Sequence, residues 1–182
     1  GPQRCAQITH VSADGADFID TIVAQMCPGA TRVADPFHIV KWATEALDEV
    51  RRGAWNDARE LARTEAKRGR GRPPADAPPR PGSERAKGLK GARYALWKNP
   101  ENLSDNQQIK LAWIAATDPR LYRAYLLKEG LRTIFGMPYE AAVEALDRWI
   151  SWARRCRIPA FVKLARSIVK HKASIPAAIE HN

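Results

Sequence analysis

The sequence has few cysteines and no long apolar run, and both absences exclude classes of protein. Its 182 residues include 3 cysteines, Cys5, Cys27 and Cys156, which lie far apart and form no Cys-x-x-Cys pair. Neither a zinc knuckle nor a disulfide framework is therefore indicated. No apolar run approaches the roughly 20 residues of a membrane helix, and the first residues lack the pattern of a signal peptide. We expect a cytoplasmic protein with no membrane partner.

The sequence also lacks the short motifs of several enzyme classes. It contains no glycine-rich phosphate loop, no nucleophile elbow and no Ser/His/Asp order, so nothing supports a kinase or a hydrolase of those types.

The sequence has fewer acidic than basic residues. It contains 20 Asp and Glu and 30 Lys and Arg, which gives a net charge of +10. Such a chain attracts polyanions, which makes nucleic acid the default partner. Charge alone indicates no sequence recognition, and acidic membranes attract basic proteins equally well.

The N-terminal residues have the pattern of a short βαβ unit. The β-branched residues within 6–13 predict a strand. Apolar residues then recur at helical spacing over 18–26, and Thr31–Ala34 predicts a second strand. Parallel strands of this kind need covering helices and further strands to be stable. We therefore assign residues 1–40 to part of an α/β core.

The chain after Pro36 is predicted to be helical apart from one basic loop. A long helical pattern runs from Pro36 towards Leu61, and amphipathic patterns fill the chain from residue 92 to its end. Between them, residues 67–91 are rich in proline, glycine and arginine, which predicts a flexible basic loop. The predicted fold class is mainly α, with a helical region at 41–182 that contains this loop.

Two acidic residues stand where the predicted strands end. Asp14 follows the first strand and Asp35 the second, and parallel-sheet proteins place reactive groups at this edge. Asp14 also fits a turn or an N-cap, and Asp35 fits the N-cap of a helix that begins at Pro36. With His10 and His38 they would form a candidate metal site, although two Asp and two His without a fixed spacing make a weak motif. On residue type alone both interpretations stay open.

Clusters of arginine and lysine are the candidate DNA contacts, because basic side chains neutralise phosphates. A charge run is more often a solvated helix face, and this alternative applies to each cluster. The six tryptophans stand at helical positions, which indicates packing before base stacking. The candidate DNA-binding residues are Arg51, Arg52, Arg68, Arg70, Arg72, Arg80, Arg85, Lys87, Lys90 and Arg93.

Several stretches of the sequence carry a family resemblance. They include His10-Val11-Ser12-Ala13-Asp14-Gly15-Ala16, Ala34-Asp35-Pro36-Phe37-His38-Ile39-Val40-Lys41, Leu96-Trp97-Lys98-Asn99-Pro100-Glu101-Asn102-Leu103 and Tyr125-Leu126-Leu127-Lys128-Glu129, together with residues 28–30, 46–52, 149–155 and 168–179. In these stretches the chain resembles the ISL3 insertion-sequence transposases. The resemblance covers nearly the whole chain apart from the basic loop.

The resemblance implies an RNase-H-like α/β core interrupted by a helical insertion domain. In that family two Asp and one Glu hold two divalent metal ions for phosphodiester cleavage and strand transfer. The resemblance implies that Asp14 is the second catalytic Asp and therefore a metal ligand. It implies that Asp35 and His38 are positioning residues, with Asp35 as the alternative ligand. The family's first Asp is expected before Gly1, and its Glu after Asn182.

We therefore expect a fragment of a bacterial DNA transposase whose parent uses Mg²⁺ or Mn²⁺. A single carboxylate binds Mg²⁺ poorly, so we expect the chain alone to hold no metal stably and neither to cleave nor to join DNA. DNA is the expected partner, together with self-association through unpaired strand edges. One alternative is a non-catalytic basic helical DNA-binding or remnant protein. A second is a small metal-dependent hydrolase that uses Asp14, Asp35 and His38.

Overall fold

The computed structural model describes residues 2–13, 17–67 and 80–180, which are mainly α-helical. In chain order the elements are α1 (Pro2–Cys5), β1 (His10–Ala13), α2 (Asp17–Met26), β2 (Thr31–Ala34), α3 (Pro36–Lys67), α4 (Pro81–Leu89), α5 (Arg93–Trp97), a 3₁₀ helix (Pro100–Asn102), α6 (Asp105–Thr117), α7 (Pro119–Ile134), α8 (Tyr139–Arg155), α9 (Pro159–Lys170) and α10 (Ser174–Glu180). The predicted fold class, mainly α with a short N-terminal βαβ piece, is confirmed. Within these ranges no helix is long and apolar enough to cross a membrane.

β1 and β2 form a two-stranded parallel sheet in which Ala13 lies opposite Ala34. α2 connects them, because parallel strands cannot be joined by a tight turn. Arg32 reinforces the pairing, since its Nη1 donates to the carbonyls of Val11 and Val33 at 3.3 and 2.9 Å. Both strands therefore end at the same edge of the sheet.

The sheet belongs to a compact unit that contains both ends of the chain, Gly1–Glu45 and Leu127–Asn182. α10 packs against β2 and α8, and α8 packs against α9. Trp149 is buried in this unit, and its indole Nε1 donates to the carbonyl of Leu127 at 2.8 Å. A helix near the C-terminus, α10, thus covers the apolar side of β2, which lies near the N-terminus. This packing removes apolar surface from water.

A buried charge cluster lies in the same unit. Lys128 and Glu129 are both buried and form an ion pair. Arg132 also binds Glu129, with 2.7 Å between its Nε and the carboxylate Oε2. Burial of these charges is tolerated because each carboxylate oxygen faces a cation, whereas an unpaired charge in this position would be strongly destabilising.

The second compact unit is Ala46–Leu126. α5 packs against α6 within it, and Ser104 and Gln107 form a capping box at the start of α6. Asp118 starts α7, because its Oδ1 accepts the backbone N–H of Leu121 at 3.1 Å. The domain boundary predicted between residues 40 and 41 lies within α3 and stays a prediction.

The prediction of a loop over residues 67–91 is wrong at Pro81–Leu89, which form α4. Pro81 stands in the first turn, where its missing N–H removes no helical hydrogen bond. Gly82 lies so close to α3 that a Cβ atom there would be 2.5 Å from the backbone nitrogen of Ala62. Pro81 therefore starts a helix and Gly82 allows a close helix contact, so neither is a loop residue. Residues 68–79 lie outside the described residues.

The close contact of α4 with α3 predicts opposite effects for two glycine substitutions. Gly82→Ala should destabilise the protein by about 1–3 kcal/mol, because the added methyl group forces the backbone apart. Gly53→Ala is the matched control, since Gly53 is inside α3 with nothing within 4 Å of the added Cβ, and it should stabilise by about 0.5–1 kcal/mol. Urea unfolding midpoints measure both effects. Equal stabilisation by the two substitutions would show that α4 does not pack on α3.

Candidate active-site edge and DNA-binding residues

Asp35 caps α3 at the edge where both strands end. Its Oδ1 accepts a hydrogen bond from the backbone N–H of Phe37 at 2.8 Å, and Pro36 is the first helical residue. In this geometry the side-chain oxygen satisfies one of the free N–H groups of the first helical turn. The N-cap interpretation of Asp35 is confirmed.

The second carboxylate oxygen of Asp35 binds His38. Oδ2 is 2.8 Å from the ring Nδ1, and both side chains are about one-third exposed, at 34%. The hydrogen bond from His38 is the main cause that lowers the pKa of Asp35. The backbone N–H of Phe37 lowers this pKa further, while burial opposes the shift. Asp35 is therefore an ionised carboxylate with both oxygens engaged inside the protein.

His10 is not part of this cluster. It starts β1 opposite Thr31, whereas Asp35 follows the far end of β2. A strand rises about 3.3 Å per residue, so the two ends of these short strands are about 10 Å apart. The ring Nδ1 of His10 is instead 3.0 Å from Oγ1 of Thr9. The hypothesis that His10 shares one sheet edge with Asp35 and His38 is wrong.

The described residues do not form a metal site by themselves. Over 2–13, 17–67 and 80–180, no group of three or more His, Cys, Asp or Glu side chains is placed to hold a metal ion. Asp14, the candidate catalytic residue and metal ligand, lies outside the described residues. Divalent ions of this type require several oxygen ligands, which the Asp35 and His38 pair does not supply.

The DNA-binding candidates divide between described and undescribed residues. Arg68, Arg70 and Arg72 lie outside the described residues. The remaining candidates all belong to the second unit, Ala46–Leu126. They are Arg51, Arg52, Arg80, Arg85, Lys87, Lys90 and Arg93.

Asp48 binds the two arginines of α3. Its Oδ1 is 2.7 Å from Nε of Arg51, and its Oδ2 is 3.2 Å from Nε of Arg52. The side chain of Arg51 is 17% exposed and that of Arg52 is 63% exposed. Arg52 therefore has donors that face solvent, whereas Arg51 is mostly engaged by Asp48.

The candidates of α4 and α5 differ in the same way. Arg85 is tied to the buried carboxylate of Asp118, with 2.5 Å between Nη2 and Oδ2. Arg93 is exposed, and its guanidinium lies 3.7 Å from the ring centroid of Trp97. A guanidinium stacked on an indole keeps its N–H donors in its own plane, so it still matches phosphate oxygens. Lys87 and Lys90 are also exposed.

The sequence analysis did not identify three cation–π pairs of a basic residue with a tryptophan in the second unit. The distances from the cation to the ring centroid are 4.6 Å for Arg59 and Trp55, 3.7 Å for Arg93 and Trp97, and 5.5 Å for Lys110 and Trp113. In each pair the residues are three or four positions apart, which places them on one helix face. That spacing is the sequence signal from which Arg59 and Lys110 could have been found.

The family model of the ISL3-type DDE transposases matches residues 1–182. The chain belongs to this transposase family. The resemblance inferred from the sequence stretches is therefore confirmed, and the match extends over residues 1–182.

Two transposases illustrate how this family member relates to longer proteins. The transposase for insertion sequence element IS1557 of Mycobacterium tuberculosis is 66% identical over 181 residues, which are 100% of this chain and 41% of the relative. The transposase for insertion sequence element IS1001 of Bordetella parapertussis is 24% identical over 182 residues, covering 99% of this chain and 40% of the relative. No solved structure matches the chain. The chain thus spans about two fifths of the length of these relatives.

The two roles of Asp35 can be separated by substitution. Asp35→Ala removes both the cap and the ion pair and should destabilise the protein by about 1 kcal/mol at pH 7. Asp35→Asn keeps an oxygen for the N–H of Phe37 and removes only the charge, so it should cost less. Urea unfolding midpoints of both variants and the unchanged chain measure these costs.

The pH dependence of this effect follows from the lowered pKa of Asp35. A carboxyl group whose pKa is lower in the folded than in the unfolded state contributes its full stabilisation at pH values above the unfolded-state pKa. This contribution is lost as the pH falls through the folded-state pKa. The difference in unfolding free energy between the unchanged chain and Asp35→Asn should therefore become smaller below about pH 4. A constant difference from pH 7 to pH 2 would contradict the role of the His38 hydrogen bond.

Proposed function

We propose that this chain is a segment of a DNA transposase that supplies Asp14 to the metal-binding carboxylates and basic side chains to the DNA backbone. The observation that carries the proposal is the match of the transposase family to the whole chain. In the parent enzyme two Asp and one Glu, on an RNase-H-like core, would hold Mg²⁺ or Mn²⁺ during strand cleavage and transfer. The helices after β2 would belong to the insertion domain of that enzyme.

The strand register supports the assignment of Asp14. Ala13 and Ala34 are opposite each other at the ends of β1 and β2, and Asp14 and Asp35 are the next residues in the chain. This is the sheet edge at which open α/β proteins bind their ligands. Asp35 already binds Phe37 and His38, which suits a residue that positions the start of α3. Asp14 is therefore the better candidate for the metal ligand.

Substitutions in the full-length transposase that carries this segment test the assignment. Asp14→Asn should reduce metal-dependent strand cleavage by more than the ~10–100-fold typical of residues that only orient a ligand. Asp35→Asn keeps the helix cap, so its reduction of strand cleavage should not exceed this ~10–100-fold range. Cleavage of a DNA duplex bearing the transposon end, with Mg²⁺ and with Mn²⁺, measures both variants. The opposite order of the two effects would move the ligand role from Asp14 to Asp35.

The second part of the proposal is contact with the DNA backbone through the second unit. Arg52 and Arg93 are exposed, and the contacts of Arg52 with the carbonyl and carboxylate of Asp48 both use its Nε. Exposed arginines that bind phosphates release counterions, so the affinity depends on salt and hardly on sequence. This contact would hold DNA without selecting a site.

Charge removal at two positions of α3 tests this contact. Arg52→Gln should weaken binding to duplex DNA and reduce the slope of log K against log salt by about 0.9, the value for one phosphate contact. Arg63→Gln is the matched control, because Arg63 is similarly exposed on the same helix and is paired with Glu60. Fluorescence anisotropy at several salt concentrations measures both. Equal losses in the two variants would indicate general charge attraction and no defined contact at Arg52.

Self-association is a further part of the proposal. Phe18, Ile22 and Met26 are 66%, 51% and 60% exposed and follow one another at four-residue spacing along α2. In the described part of the chain each strand of the sheet also has a single partner. Apolar side chains and free strand edges of this kind are stabilised by pairing with another copy.

Light scattering of the purified chain measures its oligomeric state. Ile22→Lys should shift the chain towards the monomer, because it places a charge in the apolar contact. Val169→Lys, at an exposed apolar position of α9, should leave the oligomeric state unchanged. A monomer at all concentrations with an ordered sheet would contradict self-association.

The alternative functions have less support. A hydrolase that works through Asp14, Asp35 and His38 alone would need the carboxylate of Asp35 as a ligand or a base, yet its two oxygens already bind Phe37 and His38. A basic DNA-binding protein of another origin is compatible with the charge of the chain, but it gives no reason for the family match across residues 1–182. A remnant of a transposase would share that match, and strand cleavage by the full-length protein tests it.

A further inference from the structure

α4 and α6 border a groove of about 610 Å³ in the second unit. Ile109, in its lining, is 67% exposed although it is a large apolar side chain. Open clefts of this size with an apolar wall and a few polar groups are the usual form of a ligand site. The lining residues that matter for its chemistry are Ile109, Trp113, Arg85, Lys87, Gly88 and Lys110.

Trp113 provides an aromatic wall that two contacts hold in place. The backbone of Gly88 approaches the indole so closely that a Cβ atom at this position would be 2.2 Å from the ring carbon Cη2. Lys110 donates from Nζ to the carbonyl of Gly88 at 2.8 Å and lies 5.5 Å from the ring centroid of Trp113. The position of the indole therefore depends on the absence of a side chain at Gly88.

The groove also has an excess of hydrogen-bond donors. Arg85 lines the groove, and its guanidinium binds Asp118 through Nη2 while its side chain stays 36% exposed. Lys87 and Lys110 add two cations to the lining, and Glu84 is its one carboxylate in the described chain.

We propose that this groove binds one unpaired nucleotide of a DNA strand, with the base against Trp113 and the phosphate near Lys110 and Lys87. Bases of every type stack on indoles, and Lys and Arg donors match phosphate oxygens. A free nucleoside monophosphate has the same chemistry, but the net charge of +10 favours the polyanionic strand. The inference rests on the proposed function, because it takes DNA as the ligand.

Binding of the full chain to two fluorescent oligonucleotides tests this inference. One is an oligothymidine of about 12 nucleotides, within the site size of single-strand binding proteins, and the other has abasic sugars at its central positions. The oligothymidine should bind at least about fivefold more tightly, because only it offers bases for stacking. Equal affinities would overturn the inference. Thymidine monophosphate that competes as well as the strand would also overturn it.

Gly88→Ala tests the role of the indole without a change of charge. The added methyl group should displace Trp113, so the preference for the oligothymidine over the abasic strand should disappear while both still bind. Gly53→Ala adds the same methyl group away from the groove and should keep the preference. Circular dichroism during heating shows whether Gly88→Ala is folded. If it is not, Ile109→Ser, at an exposed position of the groove, should reduce the preference in its place.

The outcomes separate this inference from the proposed function. Salt-dependent binding of DNA with no preference for the oligothymidine would contradict only the nucleotide groove. Absence of all DNA binding by the unchanged chain would contradict the backbone contacts of the proposed function as well. A preference that survives in both Gly88→Ala and Ile109→Ser would place the stacking site elsewhere and overturn the groove assignment.

Discussion

Parallel pairing of β1 with β2 is the constraint on which the first unit depends. A parallel connection cannot be a tight turn, so α2 must intervene, and the two strands must end at one edge. The strands also need apolar cover on their faces. α10 supplies this cover for β2, although β2 ends at Ala34 and α10 begins only at Ser174. The N-terminal residues therefore reach their compact state only with helices from the other end of the chain.

The same edge explains why Asp35 is part of the structure as well as a candidate for function. Its carboxylate satisfies the N–H of Phe37 and binds the ring of His38. The junction of β2 with α3 is thereby held in one conformation. A carboxylate with two internal partners is less free to take a metal ion, and this underlies the positioning role proposed for Asp35.

In the second unit, ion pairs and aromatic contacts divide the basic residues into two groups. Asp48 and Asp118 engage Arg51 and Arg85, which makes these arginines part of the packing. Arg93 stacks on Trp97 and remains exposed. A positive net charge predicts attraction to polyanions, but it does not distinguish an arginine that holds two helices together from one that is available to a phosphate. Carboxylates and indoles nearby make that distinction.

Local patterns in the sequence determined the helices, the βαβ order, the capping box at Ser104 and the N-cap at Asp35, because each depends on residues within a few positions of one another. The family resemblance was also carried by short stretches. The helical state of Pro81–Leu89, the separation of His10 from Asp35 and the groove at Trp113 were decided by tertiary structure. In each case the deciding contact joins residues distant in sequence, such as Gly82 with Ala62 or Gly88 with Trp113. A pattern of neighbouring residues contains no information about which backbone will approach from elsewhere in the chain.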